Sequence, residues 1–274
     1  MSKMQPVHLE LTQKIADAFA SLPQVEAIAV AGSRGGGPGT ADSASDIDMY
    51  VYTHGEIPRE ARQVIAQASG GTSRENFDLN YWGPSDSWIN APSGIELDIM
   101  YFDTGWMENQ ITQVVEKHQP SLGYTTCFWY TVWQSISFFD RGNWFAALQH
   151  RCAIPYPETL RQNIIDYNHP VLRNVLSSYE SQLEKAVKRH DLVSINHRTA
   201  VLFASYFDIL LAFNRQLHPG EKRLMEFVRN KCATLPNNMQ ADVESILLLS
   251  AADIPQLPAR ITGLLDHLDQ MLRK

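Results

Sequence analysis

Apolar and polar positions alternate along Ile47-Asp48-Met49-Tyr50-Val51-Tyr52, the period-two signature of a half-buried strand. A second such run covers 95–102, with Leu97, Ile99 and Tyr101 on one face and Glu96 and Asp98 on the other. Val25 to Val30 reads as a buried strand, and Phe77 to Trp82 as one more. Residues 83–94, with two prolines and Asp86, read as a loop in which Trp88 is either a packing anchor or a ring that stacks on a base or substrate. Helical spacing appears over about 9–20, 59–69 and 108–118. The segment 126–139 is rich in aromatics and reads as interdomain core, with a ligand-stacking platform as the alternative; Asp140 to Asn143 is a turn that starts a further helix. Beyond Pro155-Tyr156-Pro157 the pattern becomes helical throughout: about 158–167, 171–189, 191–216, 221–231, 242–250 and 259–274. No fixed period recurs, so the second half is a helical domain and not a repeat array. The chain therefore reads as α+β, with a sheet-bearing domain at 1–155 and an all-helical domain at 156–274.

The chemistry-bearing residues cluster on the predicted strands. Asp46 and Asp48 share a strand face, roughly 7 Å apart at Cα, a spacing at which two carboxylates bracket a hard cation such as Mg²⁺. Without a cation they repel; two solvated aspartates on a polar face are the plain alternative. Ahead of them runs Gly32-Ser33-Arg34-Gly35-Gly36-Gly37. Its glycines permit close backbone approach, so N–H groups converge on phosphate oxygens, while Ser33 and Arg34 add donors. A surface linker between strands would look similar. No Gly-Lys-Ser/Thr follows, which excludes a Walker loop, and a strand instead of a helix follows, which excludes a Rossmann fingerprint. Asp98, with Glu96 beside it, supplies a third carboxylate if strand 95–102 pairs with strand 46–53; there it ligates a second metal or takes a proton from an attacking hydroxyl.

Gly32-Ser33, then Ser45-Asp46-Ile47-Asp48, then Leu97-Asp98-Ile99 resemble the nucleotidyltransferase superfamily that includes DNA polymerase beta. The stand-alone bacterial aminoglycoside and lincosamide nucleotidyltransferases are the most similar branch. The resemblance covers about the first 105 residues by motif and the helical remainder more loosely. It implies a small mixed β-sheet flanked by helices, two Mg²⁺ ions, ATP or another NTP as co-substrate, and transfer of a nucleoside monophosphate with release of pyrophosphate. Carried over by position, Gly32, Ser33, Arg34 and Ser45 contact the triphosphate, Asp46 and Asp48 bind metal, and Asp98 is the third acid. Some aminoglycoside-modifying members carry Glu at that third position, which makes Glu96 the alternative base. In two-domain relatives a lysine of the helical domain reaches the triphosphate. The candidate here is Lys222, which a Pro219-Gly220 turn presents at a helix start; an exposed basic helix end is the alternative.

Composition narrows the partners. A net charge of −7 disfavours stable binding to nucleic acid or an anionic membrane. Three scattered cysteines without Cys-x-x-Cys spacing fit reduced thiols of a cytoplasmic protein. The N-terminus lacks a signal-peptide core, and no run of eighteen apolar residues occurs, since Asp208 interrupts Val201 to Phe213. The resulting expectation is an enzyme that nucleotidylates a hydroxyl on a small-molecule acceptor. Its alternatives are a protein-hydroxyl acceptor, as in toxin–antitoxin pairs, a nucleotide sensor without turnover, and a structural scaffold. Oligomeric state stays open, a homodimer included.

Overall fold

The computed structural model describes residues 4–31, 46–81, 83–249 and 253–273. The chain divides into two compact units, one of residues 1–115 and 128–154, the other of 116–127 and 155–274.

In the first unit, six strands among the described residues form one mixed sheet. They are β1 (Val25–Val30), β2 (Ile47–Thr53), β3 (Thr72–Leu79), β4 (Ser85–Asn90), β5 (Glu96–Asp103) and β6 (Ile136–Asp140), in the spatial order β3-β4-β5-β2-β1-β6. Only β2 and β5 pair in parallel, in a register that sets Ile47 beside Leu97 and Asp48 beside Asp98; the other pairs are antiparallel. The crossover between them passes through α2 (Arg59–Ala68) and the β3–β4 hairpin. One sheet face carries Ile28, Val30, Ile47, Met49, Val51, Leu97 and Ile99, all fully buried. Helix α1 (Pro6–Ala20) closes that face through Leu11, Ile15, Ala16 and Phe19, spaced three and four apart, and α2 adds Ile65 and Ala66. Full burial of each Leu, Ile or Phe is worth ~1.5–3 kcal/mol, so this layer dominates the unit's stability.

The second face is shared between the carboxylates and an aromatic layer. Helix α3 (Thr104–Ile111) follows β5 directly, capped by Asp103, whose Oδ1 accepts from the Trp106 N–H at 2.8 Å, and runs on into a π turn at Thr112–Glu116. Helices α4 (Cys127–Gln134) and α5 (Trp144–Cys152) flank β6. Trp144 and Phe145 of α5 pack on Tyr52 with ring centroids 5.3 and 5.2 Å away.

Three strands depart from the sequence reading. The strand read over Phe77 to Trp82 lies earlier, as β3 over Thr72–Leu79. The stretch read as a loop over 83–94 contains β4, and Trp88 is not a ligand-stacking ring: it lies 1% exposed in the core, stacked on Phe77. Its inward neighbours Asp86 and Asn90 are polar, which hid the alternation. Asp86 is tolerated at 0% exposure because Arg62 donates to it, the Asp78 N–H donates to it at 3.0 Å, and the Tyr101 hydroxyl donates to it at 2.7 Å. The aromatic segment 126–139 likewise ends in a strand, β6, beyond helix α4.

The second unit is helical: α6 (Glu158–His169), α7 (Tyr179–Lys188), α8 (Leu192–Phe213), α9 (Leu224–Lys231), α10 (Met239–Leu247) and α11 (Leu257–Leu272). The helix expected over 171–189 is broken: a π turn at Pro170–Asn174 ends α6, and Ser178 caps α7. Arg173 at that break binds Glu180, Asp266 and Asp269. Residues 116–127 belong to this unit for a visible reason. A Cβ on Gly123, at φ +77°, would come within 2.9 Å of the Ala204 Cβ on α8. The Gly123 N–H donates to Asn168, and Thr125 donates to Asp208 of α8 through both its N–H (3.1 Å) and its hydroxyl (2.6 Å). Among the described residues no helix is long and apolar enough to cross a membrane.

Candidate functional site

Parallel pairing of β2 with β5 is what assembles the carboxylates. Side chains alternate across a strand, so Asp48 and Asp98, opposite each other in register, project from the same sheet face, and Asp46 precedes β2 by one residue on that face. One carboxylate oxygen from each of Asp46, Asp48 and Asp98 lies within 4.8 Å of the others, and all three residues are half-buried. The β1–β2 connection begins and ends here. Ala31, the last described residue after β1, donates its N–H to the Asp48 carbonyl at 3.1 Å, and the chain returns at Asp46.

An all-oxygen set of this size suits Mg²⁺, Mn²⁺ or Ca²⁺ and disfavours the softer metals that prefer sulfur or imidazole. Three anionic groups this close also repel one another, which a divalent cation reverses. The donor set therefore fits the divalent metal that the motif implies.

The remaining residues from the sequence reading fall in three places. Gly32, Ser33, Arg34 and Ser45 lie outside the described residues. Glu96 is exposed at the first position of β5, beside Ile89 of β4, and does not join the three aspartates. Lys222 stands in the helical unit, exposed in the turn ahead of α9, which starts at Leu224, three residues later than the pattern predicts; Arg223 takes φ +55° there.

Several groups near the site were not singled out from sequence. Along β2 and β5 the carboxylate face continues as Tyr50 beside Met100 and then Tyr52 beside Phe102. Phe102 meets Tyr50 edge-on at 5.3 Å and lies parallel to Trp106 at 5.7 Å, and Phe128 closes edge-on against both Phe102 and Trp106. Tyr50 and Tyr52 were visible as the polar phase of the alternation. Trp106 was not, because nothing local in the sequence says that α3 folds back onto β5.

On the opposite face, a cavity of about 460 Å³ opens at the C-terminal ends of β2 and β5, lined by Ile57, Arg62, Asp78 and Tyr101 among others. Arg62 there is held by Asp86, Asp78 and the Ile57 carbonyl; burial alone would lower its pKa, and the hydrogen bonds to the Asp86 and Asp78 carboxylates raise it. The same guanidinium holds the Asp78 carboxyl below the usual range. This ion-paired cluster is structural and lies apart from the three aspartates.

The helical unit has its own buried polar group, formed by Asp208, Thr125, Cys127 and His218. Burial pushes Asp208 up to about 7 against the two hydrogen bonds from Thr125. The Cys127 Sγ lies 3.5 Å from His218 Nδ1, with burial driving the thiol up to about 12 and the imidazole down to about 4. Both are neutral at pH 7, so the pair is not an activated thiolate.

No family model matches the sequence, and no curated protein matches it. In structure the chain is similar to a nucleotidyltransferase-like protein from Exiguobacterium sibiricum 255-15, at 13% identity and TM-score 0.46, covering 95% of this chain and 74% of that one. It is also similar to an aminoglycoside 6-adenyltransferase from Bacillus subtilis, at 10% identity and TM-score 0.32, covering 96% of this chain and 90% of that one. Identities this low, with TM-scores below 0.5, leave the chemistry to be read from the chain's own carboxylates.

Proposed function

We propose that the protein is a magnesium-dependent nucleotidyltransferase that moves a nucleoside monophosphate, AMP from ATP in the first instance, to a hydroxyl of a small-molecule acceptor and releases pyrophosphate. The observation that carries this reading is the convergence of Asp46, Asp48 and Asp98 from adjacent parallel strands to within 4.8 Å. The order Gly32-Ser33, Asp46-x-Asp48, Asp98 along the chain supports it.

In this reading Asp46 and Asp48 hold the cation, and Asp98 shares it while facing the acceptor. Divalent cations bound there supply charge neutralisation for the triphosphate and a template for the attacking and leaving oxygens. Gly32, Ser33, Arg34 and Ser45 hold the triphosphate. Asp98 accepts the proton of the acceptor hydroxyl. The new bond joins that oxygen to the α-phosphorus, the bond from the α-phosphorus to the bridging oxygen breaks, and pyrophosphate leaves with the electron pair. Asp98 is preferred to Glu96 as the base because Glu96 stands outside the carboxylate group. Catalysis here consists of positioning and charge stabilisation more than of covalent chemistry.

The test is the thermal midpoint with each NTP, with and without Mg²⁺, for the wild type and for Asp46→Ala and Asp48→Ala, paired with pyrophosphate release. A ligand at ~100 times its Kd stabilises the fold by about 2.7 kcal/mol. The expected result is a magnesium-dependent shift in the wild type that both variants lose. Absence of a shift with any nucleotide, or its survival in both variants, overturns the reading.

A further inference from the structure

We infer that the cavity at the C-terminal ends of β2 and β5 is a second binding site, for a small organic ammonium ion with an apolar body; it is separate from the three aspartates and does not rest on the nucleotidyl-transfer reading.

Position comes first. The cavity has a volume of about 460 Å³, the size of sites that take small organic molecules. In open sheets with parallel strands, ligands bind in the crevice beyond the carboxyl ends of those strands. Thr53 and Asp103 end the parallel pair β2 and β5, opposite each other in register, and both line the cavity. Asp103 stands five residues beyond Asp98, roughly 17 Å along β5, and projects from the other face of the sheet. The two sites do not overlap.

Charge and hydrogen bonding decide the class of ligand. Arg62 is fully committed: its guanidinium donates to Asp86, to Asp78 and to the Ile57 carbonyl. Asp78 meets Arg62 with one oxygen and Arg59 with the other, the latter at 2.9 Å. These two arginines and two aspartates balance in charge, so the floor of the cavity is neutral. Thr53, Glu56 and Asp103 are not so committed. Thr53 keeps the phase of Met49 and Val51, so its side chain projects from the face on which the cavity opens. It is 7% exposed, and its hydroxyl has no hydrogen-bond partner among the described residues. A hydroxyl buried that far is costly unless something bonds to it. Glu56 is exposed and has no ion pair or hydrogen bond among the described residues. Asp103 takes the Trp106 N–H on Oδ1 and leaves Oδ2 open. Two uncompensated carboxylates beside a neutral floor select a cation and repel an anion. Ile57, Leu79, Pro84 and the Tyr101 ring complete the wall. A bare metal ion would leave that apolar surface and most of the volume unfilled. An organic ammonium ion donates N–H groups to Glu56, Asp103 and Thr53 and lays its body against the apolar wall.

The test is a ligand-observed NMR titration of the full chain, without nucleotide, using three probes of one shape: 2-phenylethylamine, 2-phenylethanol and phenylacetate. It compares the wild type with Glu56→Gln, Asp103→Asn and Thr53→Val, and with Asp48→Ala as the control for the three aspartates. The first two variants keep the fold, because Glu56 is exposed and Asp103→Asn retains an Oδ1 to cap α3. In the wild type the amine is expected to bind at least ~10-fold tighter than the alcohol, and phenylacetate to give no comparable signal. Amine affinity falls about 3- to 5-fold in Glu56→Gln and in Asp103→Asn, the loss of one exposed ion pair each, and falls in Thr53→Val as well. The alcohol does not distinguish the two carboxylate variants from the wild type, and Asp48→Ala binds the amine as the wild type does. An amine no tighter than the alcohol or phenylacetate, or an amine affinity unchanged in any of the three cavity variants, overturns the inference. So does loss of amine binding in Asp48→Ala, which would put the amine on the three aspartates.

Discussion

Replacing Asp208 by Asn tests the buried polar group of the helical unit at a predicted magnitude. Asp208 is 2% exposed on α8 and keeps its proton up to about pH 7, because burial costs the ionised form more than Thr125 returns. An unfolded Asp ionises near ~4, so between pH 4 and 7 the folded state binds more protons, and stability falls as pH rises through that window. At about 1.4 kcal/mol per pH unit, the ionised carboxylate costs about 4 kcal/mol at pH 8. Asn keeps the geometry: its Oδ1 accepts from the Thr125 N–H, and its Nδ2 donates to the Thr125 hydroxyl, which then turns to the Ser121 carbonyl at 3.3 Å. His218 works in the opposite sense. Burial holds its imidazole near 4, below the ordinary ~6.5, so its contribution is present above pH 6.5 and lost as pH falls toward 4. The wild type is expected to show partial cancellation of the two. Asp208→Asn should match it within ~1 kcal/mol at pH 4.5 and exceed it by several kcal/mol at pH 8.5, measured by urea unfolding across that range. An equal gap at both pH values, or a variant weaker at pH 8.5, would refute the desolvation argument.

Three further outcomes follow from the same structure. Arg62→Leu leaves Asp86 fully buried without its guanidinium and should cost about 3–5 kcal/mol in urea unfolding, with Asp86→Asn in the same chain recovering part of it; a loss below ~1 kcal/mol would mean that Tyr101 and the Asp78 N–H suffice. Gly123→Ala should destabilise by about 1–3 kcal/mol, since it combines φ +77° with a 2.9 Å approach to Ala204; thermal unfolding checks it, and a neutral result would mean that the 116–127 segment shifts freely. Asp98→Asn should retain most of the magnesium–nucleotide shift, because Asp46 and Asp48 remain, yet lower pyrophosphate release at least ~100-fold; equal loss of both readouts would make Asp98 a ligand alone.

The carboxylate strand and its partner were legible because period-two alternation is a local property: Ile47, Met49 and Val51 against Asp46, Asp48 and Tyr50 need no knowledge of neighbours. The long helices were legible for the same reason, with Asp191 marking a start through its side-chain cap. Strand β4 was not, since its inward positions Asp86, Trp88 and Asn90 mix charge, ring and amide, and Arg62, Tyr101 and the Asp78 N–H from elsewhere make such a face viable. The break ahead of α7 was misplaced because Pro170 reads as the boundary between 158–167 and 171–189, whereas Pro170–Asn174 continue α6 as a π turn, and the acids that hold Arg173 come largely from α11, about ninety residues on. The sequence by itself determined which residues carry acid chemistry, which strands bear them and that helices follow. That Asp98 stands opposite Asp48, that Glu96 stands outside, and that rings of β2, β5 and α3 continue the carboxylate face were decided only in the tertiary structure. Strand register, and the packing of a helix onto a sheet, are set by burial against distant partners, which no local window of residues contains.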